Sequence, residues 1–438
     1  MKSGLADTIA AVGTVARWRG VELIQSNVSG WRTRAGESEM ILKGIRVLDF
    51  TQYLAGPTVT RLMVEMGAEI IKIERAPGGD PSRQLPAVKD GRSAYFVQQN
   101  LGKQSLCIDL NHAASDEVIK DLVAKVDVVV ENYGPGVMDK RGWDYESLKR
   151  INPKLVMASI SAFGRESPLS HKTGFDWIAQ AFAGFMHMTG PTDGPPHPVG
   201  VGMADVSAGV HAFASIGYAL FNRERSGAGQ WMDISMVDCI FAMHELNLQV
   251  PQVNPAFVPK RVGTHHPLIC PCGVYKSPDG YMALLIVQGQ WQNMCKAMQR
   301  PDLVTDARFA EAPARAQQQA ELIPQIEAWM ATYANDAALL EHLESHRVPC
   351  GPVLSPMDAL THPYFKGRGA IRPVEDPFLG TLMLPGFPLR FSGQTDYSAK
   401  VAPLLGQHNA QVLAEVAGYD AGRIADLTGS GLLVSGDR

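Results

Sequence analysis

Cysteine is scarce: six residues, at positions 107, 239, 270, 272, 295 and 350, are spread irregularly through a chain of 438. That is too sparse for a disulfide scaffold, so a reducing, cytoplasmic setting is expected. Long apolar runs are missing too. Stretches such as Met282–Val287 fall far short of the roughly 20 residues that a membrane-spanning helix needs, and no membrane partner is expected. Nor does charge of one sign prevail, since 40 Lys and Arg face 44 Asp and Glu for a net −4. Without a global positive field, nucleic acid is not an expected partner. Gly-x-Gly-x-x-Gly and Walker A sequences are also absent, so dinucleotide or ATP binding by those devices is not indicated. What the chain does have is apolar content, 45%, enough to fill the cores of two or three domains.

The first 39 residues carry Arg17, Arg19, Arg32 and Arg34 but no apolar core or small-residue cleavage site of a secretory signal. They read as an appendage, either an Arg-rich transit segment weakened by Asp7, Glu22, Glu37 and Glu39, or an over-long start ahead of Met40. Residues 1–43 are accordingly set apart as an N-terminal extension.

From residue 44 onward, short β-branched runs at Ile45–Phe50, Glu69–Glu74, Ser105–Leu110, Asp127–Glu131 and Lys154–Ile160 alternate with helical stretches. This pattern predicts an α/β fold with parallel βαβ units. Thr58–Met66 is expected as a helix capped by Gly67, and Ser115–Lys125 as another with Val118, Ile119, Leu122 and Val123 on one face. Beyond residue 176, Trp177–Met188 reads as helical, Gly190–Gly202 as a loop and Val206–Asn222 as a second helix with Asp205 at its start. The prolines between Pro251 and Pro259 suggest an extended linker, placed at 227–259, ahead of a smaller domain at 260–350. Residues 44–226 would then be the first part of a large domain, and 351–438 would return to it.

Strand ends are where ligands bind in such sheets. Near them Arg75, Arg83, Lys103 and Lys140 are candidates to meet a phosphorylated ligand, although each taken alone suits a solvated surface charge. Asp205 and Asp176 both stand where a helix begins, and capping alone would account for either.

Seven ordered blocks carry more information. They are Gly44–Thr51 (GIRVLDFT), Gly67–Arg75 (GAEIIKIER), Val130–Asp139 (VENYGPGVMD), Ile151–Leu155 (INPKL), Ala158–Gly164 (ASISAFG), Gly227–Gln230 (GAGQ) and Pro403–His408 (PLLGQH). In these the chain resembles the class III CoA-transferases and their relatives, the formyl-CoA and carnitine CoA-transferases and the 2-methylacyl-CoA racemases. The resemblance implies a large Rossmann-like domain built from both chain ends plus a smaller α+β domain, in an interlocked homodimer. It implies acyl-CoA and a free carboxylic acid as substrates, with coenzyme A carried as substrate and no tightly bound cofactor.

The family's nucleophilic aspartate precedes a small-residue helix, which corresponds here to Gly202–Gly209 (GMADVSAG) and points to Asp205. A carboxylate at a helix N-terminus is favoured in its ionised, attacking form. Racemases of this family pair that aspartate with a histidine in Gly-His-Asp, and here the triplet is Gly174-Phe175-Asp176. Phenylalanine cannot move a proton, so the resemblance favours transfer over racemisation, with Asp176 as an auxiliary. By the same carry-over Arg75, Ile108, Asp109, Leu110, Asn111, Asn132, Tyr133 and Lys140 would line the CoA cleft. Leu54 stands where formyl-CoA transferases have a glutamine, and Arg261–Gly273 replaces their glycine-rich loop, so formate and oxalate are not the expected acids. Arg261 or His265 would meet an acceptor carboxylate, with a dicarboxylate such as succinate or a related C4–C5 acid as the substrate. His265, His266, Cys270 and Cys272 are too tightly spaced for a usual zinc site, and no metal is expected. The alternatives left open are a racemase or isomerase, and a non-catalytic CoA-binding subunit.

Overall fold

The computed structural model describes residues 40–86, 88–393 and 400–436, so the extension at 1–39 lies outside the described residues. The chain forms two compact units, one running up to Gly263 and resuming at Ser355, the other Thr264–Leu354.

In the larger unit, β1 (Arg46–Asp49), α1 (Ala55–Glu65), β2 (Glu69–Arg75) and β3 (Gln104–Ile108) come first. They are followed by α2 (Ser115–Val123), β4 (Val128–Glu131), α3 (Tyr145–Ile151) and β5 (Val156–Ser161). Then come α4 (Asp176–Phe182), α5 (Met203–Ser226), β6 (Trp231–Ser235) and α6 (Met236–Phe241). All six strands are parallel, in the order β3-β2-β1-β4-β5-β6. The chain runs outward from β1 and then returns to lay β4 beside it. That reversal opens a crevice at the carboxyl ends of β1 and β4.

Consecutive strand residues are sorted into two cores, because side chains alternate across a sheet. Val47, Ile70, Val128 and Val156 face one core with α1 and α5. Leu48, Ile71, Val129 and Met157 face the other, with Val118, Ile119, Leu122 and Val123 of α2. Burying each such side chain contributes about 1.5–3 kcal/mol. Val412, Leu413, Val416 and Leu432, from the far end of the chain, join this second core.

The C-terminal segment also closes the sheet's edge. The N–H of Asp109 donates to Leu432 O at 2.8 Å, and that of Val434 to Cys107 O at 3.1 Å. His408 Nδ1 accepts the N–H of Ser105 at 3.1 Å, and Asn409 Oδ1 that of Cys107 at 2.8 Å. The Pro403–His408 block is thereby tied to an edge strand whose free N–H groups would otherwise invite foreign pairing.

Several elements differ from the sequence reading. The stretch 227–259, read as a linker, supplies the sixth strand: Met157 to Ser161 of β5 pair with Trp231 to Ser235 of β6. Its approach depends on Gly229, where a Cβ would sit 1.9 Å from Leu155 O. Within the same stretch Gln249–Val253 is helical, because Pro251 falls in the first turn, where a missing N–H costs nothing. The helix expected over Trp177–Met188 breaks at Gly184, whose φ of +86° separates α4 from a short turn at Phe185–Met188. Conversely, α5 starts before the expected Val206 and runs to Ser226, ending on Gly227 at φ +73° with Arg223 and Arg225 in its last turn.

The smaller unit has an antiparallel sheet of Cys350–Pro352, Tyr281–Leu285 and Cys272–Lys276, with Tyr281–Leu285 central. Helices Trp291–Ala297, Gln319–Met330 and Asp336–Ser345 enclose a core of Tyr275, Met282, Trp291, Ile326 and Leu343. Arg315 is fully buried there, donating to the carbonyls of Cys270, Phe309 and Ala310, with its guanidinium 4.6 Å from the Trp291 ring centre.

Candidate active site

At the β1/β4 crevice lies a cavity of about 250 Å³, lined in part by Tyr53, Leu54, Asn132, Lys172, Phe175 and Asp205. Its floor is the loop between β1 and α1, whose backbone is tied down from Thr51 to Tyr53. Asp49 accepts from the Thr51 N–H at 2.8 Å, and Lys72 Nζ donates to Thr51 O at 2.7 Å. Asn132 grips the next residue with both ends of its amide: Oδ1 accepts the Gln52 N–H at 2.8 Å, and Nδ2 donates to Gln52 O at 2.9 Å. Asp80, ion-paired with Lys72 at 2.9 Å, accepts the Tyr53 N–H at 3.3 Å. Tyr53 itself sits at φ +63°, a left-handed conformation that costs a non-glycine residue about 1–3 kcal/mol and persists only where the surroundings impose it.

The loop feeds α1, whose entry residues Leu54 and Ala55 line the cavity; their N–H groups meet no acceptor among the described residues. Helix α5 enters beside it. A Cβ at Gly209 would stand 2.6 Å from Ala55 O, and one at Gly202 would stand 2.5 Å from the Leu54 side chain. These two glycines let the helices approach closely, with Asp205 in the first turn of α5.

Asp205 does not cap its helix. The cap comes from Asp176, whose Oδ1 accepts the N–H of Ala204 at 2.7 Å and of Asp205 at 3.2 Å. Gln180 holds the other oxygen of Asp176 at 2.6 Å and takes the N–H of Val199 at 2.8 Å, which anchors the loop leading into α5. Nor does Asp176 cap its own helix α4, which begins after Phe175 without a side-chain cap. Burial, and then the negative charge of Asp176, push the Asp205 carboxyl up to about 7. Tyr95, half-buried nearby, is pushed up to about 12 by burial, then by Asp205 and Asp80.

Of the residues read from sequence, Asp205, Asn132 and Tyr133 line the cavity. Asp176 is buried behind it. Arg75 and Ile108 are register partners at the ends of β2 and β3, with Asp109, Leu110 and Asn111 following, on the same carboxyl edge but outside the cavity. Lys140 is exposed on a short helix, Val137–Lys140. Arg261 also lies outside the cavity lining, with Nη1 donating to His187 O at 3.1 Å. His265 belongs to the smaller unit, its ring 4.8 Å from that of Tyr275.

Two of the four cations considered for a phosphorylated ligand are spent inside the fold. Arg83 pairs with Glu74 at 2.6 Å and Lys103 with Asp49 at 3.1 Å, all four side chains buried. Lys172, Tyr53 and Met236 line the cavity without having been singled out from sequence. No spacing pattern marks them, since they come from two separate loops and the first residue of α6, which only the fold brings together. Among the described residues no group of three His, Cys, Asp or Glu side chains is placed to hold a metal ion.

The profile of CoA-transferase family III matches residues 42–409. The chain belongs to that family. Among its curated relatives is the succinyl-CoA:glutarate CoA-transferase of Mus musculus, 35% identical over 90% of this chain and 90% of that protein. The succinyl-CoA:mesaconate CoA-transferase of Haloarcula hispanica is 37% identical over 85% of this chain and 96% of its own. A formyl-CoA:oxalate CoA-transferase of Escherichia coli O157:H7 is 34% identical, with 88% and 97% covered. The crystal structure of a CAIB/BAIF family protein from Brucella suis superposes with a TM-score of 0.75 at 32% identity, covering 86% of this chain and all of that one. Family III membership makes this chain a CoA-transferase acting on CoA thioesters.

Proposed function

We propose that the protein moves coenzyme A between two carboxylic acids, with Asp205 as the covalent carrier and dicarboxylic acids of the C4–C5 class as substrates. The observation that carries this reading is the placing of Asp205: one carboxylate in a small cavity at the sheet's switch point, flanked by the unpaired N–H groups of a helix start. The names of the relatives, with succinyl-CoA, glutarate and mesaconate among their substrates, support the substrate class.

The ionised Asp205 attacks the thioester carbonyl, forming a mixed anhydride and releasing CoA thiolate. The thiolate then attacks the aspartyl carbonyl, giving an aspartyl thioester and freeing the donor's acid. The acceptor carboxylate attacks that thioester, forming a second anhydride and again releasing thiolate, which captures the new acyl group and restores Asp205. Thioester energy is conserved throughout. Each tetrahedral oxyanion forms beside the N–H groups of Leu54 and Ala55, whose loop is already fixed and needs no reorganisation.

Arg75, the Ile108–Asn111 segment, Tyr133 and Lys140, along the same edge, are read as the cleft for the rest of the coenzyme. The racemase alternative lacks its second proton carrier, because Phe175 occupies the cavity wall where a histidine is required. A second copy of the chain is the expected partner: Trp177, Phe182, Val206, Val210, Tyr218 and Phe221 of the adjoining helices α4 and α5 are large apolar side chains left exposed, the composition of an interaction surface. The test is to offer succinyl-CoA with a panel of mono- and dicarboxylic acids and follow the new thioester by chromatography. Transfer to at least one dicarboxylic acid is expected, and transfer to none contradicts the reading.

A further inference from the structure

The cavity beside Asp205, at about 250 Å³, falls below the ~300–1,000 Å³ of pockets that enclose whole drug-sized ligands. What enters it is the reacting end of the thioester. The phosphates of the coenzyme, far along the pantetheine arm, stay outside. The wall already carries one carboxylate, and Asp176 lies buried behind it. A dicarboxylic acyl group brings another negative charge into this space, which is unfavourable unless a cation meets it.

Among the residues lining the cavity, Lys172 is the one with a cationic side chain. Its backbone is held in a turn, with its N–H on Leu169 O at 2.9 Å, and its ammonium pairs with no carboxylate among the described residues. Arg261, the sequence candidate for this task in the same unit, lies outside the lining. We infer that Lys172 reads the distal carboxylate of the acyl chain and so selects dicarboxylic over monocarboxylic substrates. This assignment rests on the transferase reading above.

The experiment compares wild type, Lys172→Met and Lys172→Arg in single-turnover release of the donor's free acid, succinate from succinyl-CoA and butyrate from butyryl-CoA. The two thioesters share the coenzyme and a four-carbon chain, and differ in the terminal charge. Lys172→Met is expected to lower the succinyl-over-butyryl ratio of rate constants about tenfold or more, the scale of a lost charged hydrogen bond, and Lys172→Arg to restore most of it. An equal loss with both thioesters would place the ammonium on the coenzyme instead and overturn the assignment. So would an unchanged ratio without loss. Failure of the wild type to release acid from either thioester would overturn the transferase reading itself, before any variant is compared. Lys172 is exposed, so the variants are expected to fold, and circular dichroism checks it.

Discussion

Asp176 Oδ1 lies 2.7 Å from the N–H of Ala204 and 3.2 Å from that of Asp205, so one carboxylate caps the helix that carries the other. The arrangement has two opposed effects on Asp205. The cap fixes its backbone, while the like charge behind it, added to burial, holds its carboxyl near neutrality rather than at the ordinary 3.8.

The first consequence is a pH dependence of the reaction. Attack requires the ionised carboxylate, so kcat/KM for an acyl-CoA should rise with pH and level off above about 7. Asp176→Asn keeps an oxygen for the two N–H groups but removes the charge, and the rising limb should move to lower pH. Profiles of wild type and variant, measured side by side, check this, and a limb that stays in place argues against the coupling.

A second consequence is on stability. Between the ordinary aspartate value of 3.8 and about 7, the folded protein keeps the proton on Asp205 while the unfolded chain has lost it. Stability should therefore fall as pH rises through that window. Asp205→Asn lacks this penalty. It should melt above the wild type at mildly alkaline pH, with the gap closing toward pH ~4, even though transfer is lost.

Asn132 spends both amide atoms on Gln52, and this makes it a strut of the cavity floor more than a contact for the coenzyme. Asn132→Ala removes two hydrogen bonds of about 0.5–1.5 kcal/mol each and frees the loop that presents Leu54 and Ala55. A fall in kcat of roughly ten- to a hundredfold is expected, the scale that small misplacements cost, with a smaller change in CoA affinity. Kinetics together with calorimetric titration of CoA separate the two roles, since a parallel loss in both would return Asn132 to the binding cleft.

His408 clamps the sheet edge only while its Nδ1 is an acceptor. Burial holds its imidazole below the ordinary 6.5, so its contribution is present above that value and lost as pH falls through the imidazole's own range. The melting-temperature gap between wild type and His408→Ala should shrink on going from about pH 8 to about pH 5. A gap independent of pH would mean that the clamp does not depend on the neutral ring.

Much of this architecture was legible in the chain. The first five strands and α2 announced themselves through β-branched runs and a one-sided apolar face, because both are driven by burial in the two cores. Strand β6 was not, since Trp-Met-Asp-Ile-Ser is a half-buried edge strand with a charge in the middle, and prolines beyond it suggested a linker. Asp205 was readable from the motif around it, but its relation to Asp176 was not. A cap reaching across from another helix leaves no local spacing to find. Lys172 escaped for the same reason, and Arg83 and Lys103 misled because a buried ion pair and a surface charge look alike in sequence.

The most direct test of the covalent role of Asp205 is to incubate the protein with succinyl-CoA and hydroxylamine, digest it, and map the peptides by mass spectrometry. Hydroxylamine attacks an aspartyl anhydride or thioester at the side-chain carbonyl. The account predicts a hydroxamate at Asp205, dependent on acyl-CoA and absent from Asp205→Asn; an unmodified Asp205 in protein that is turning over would contradict it.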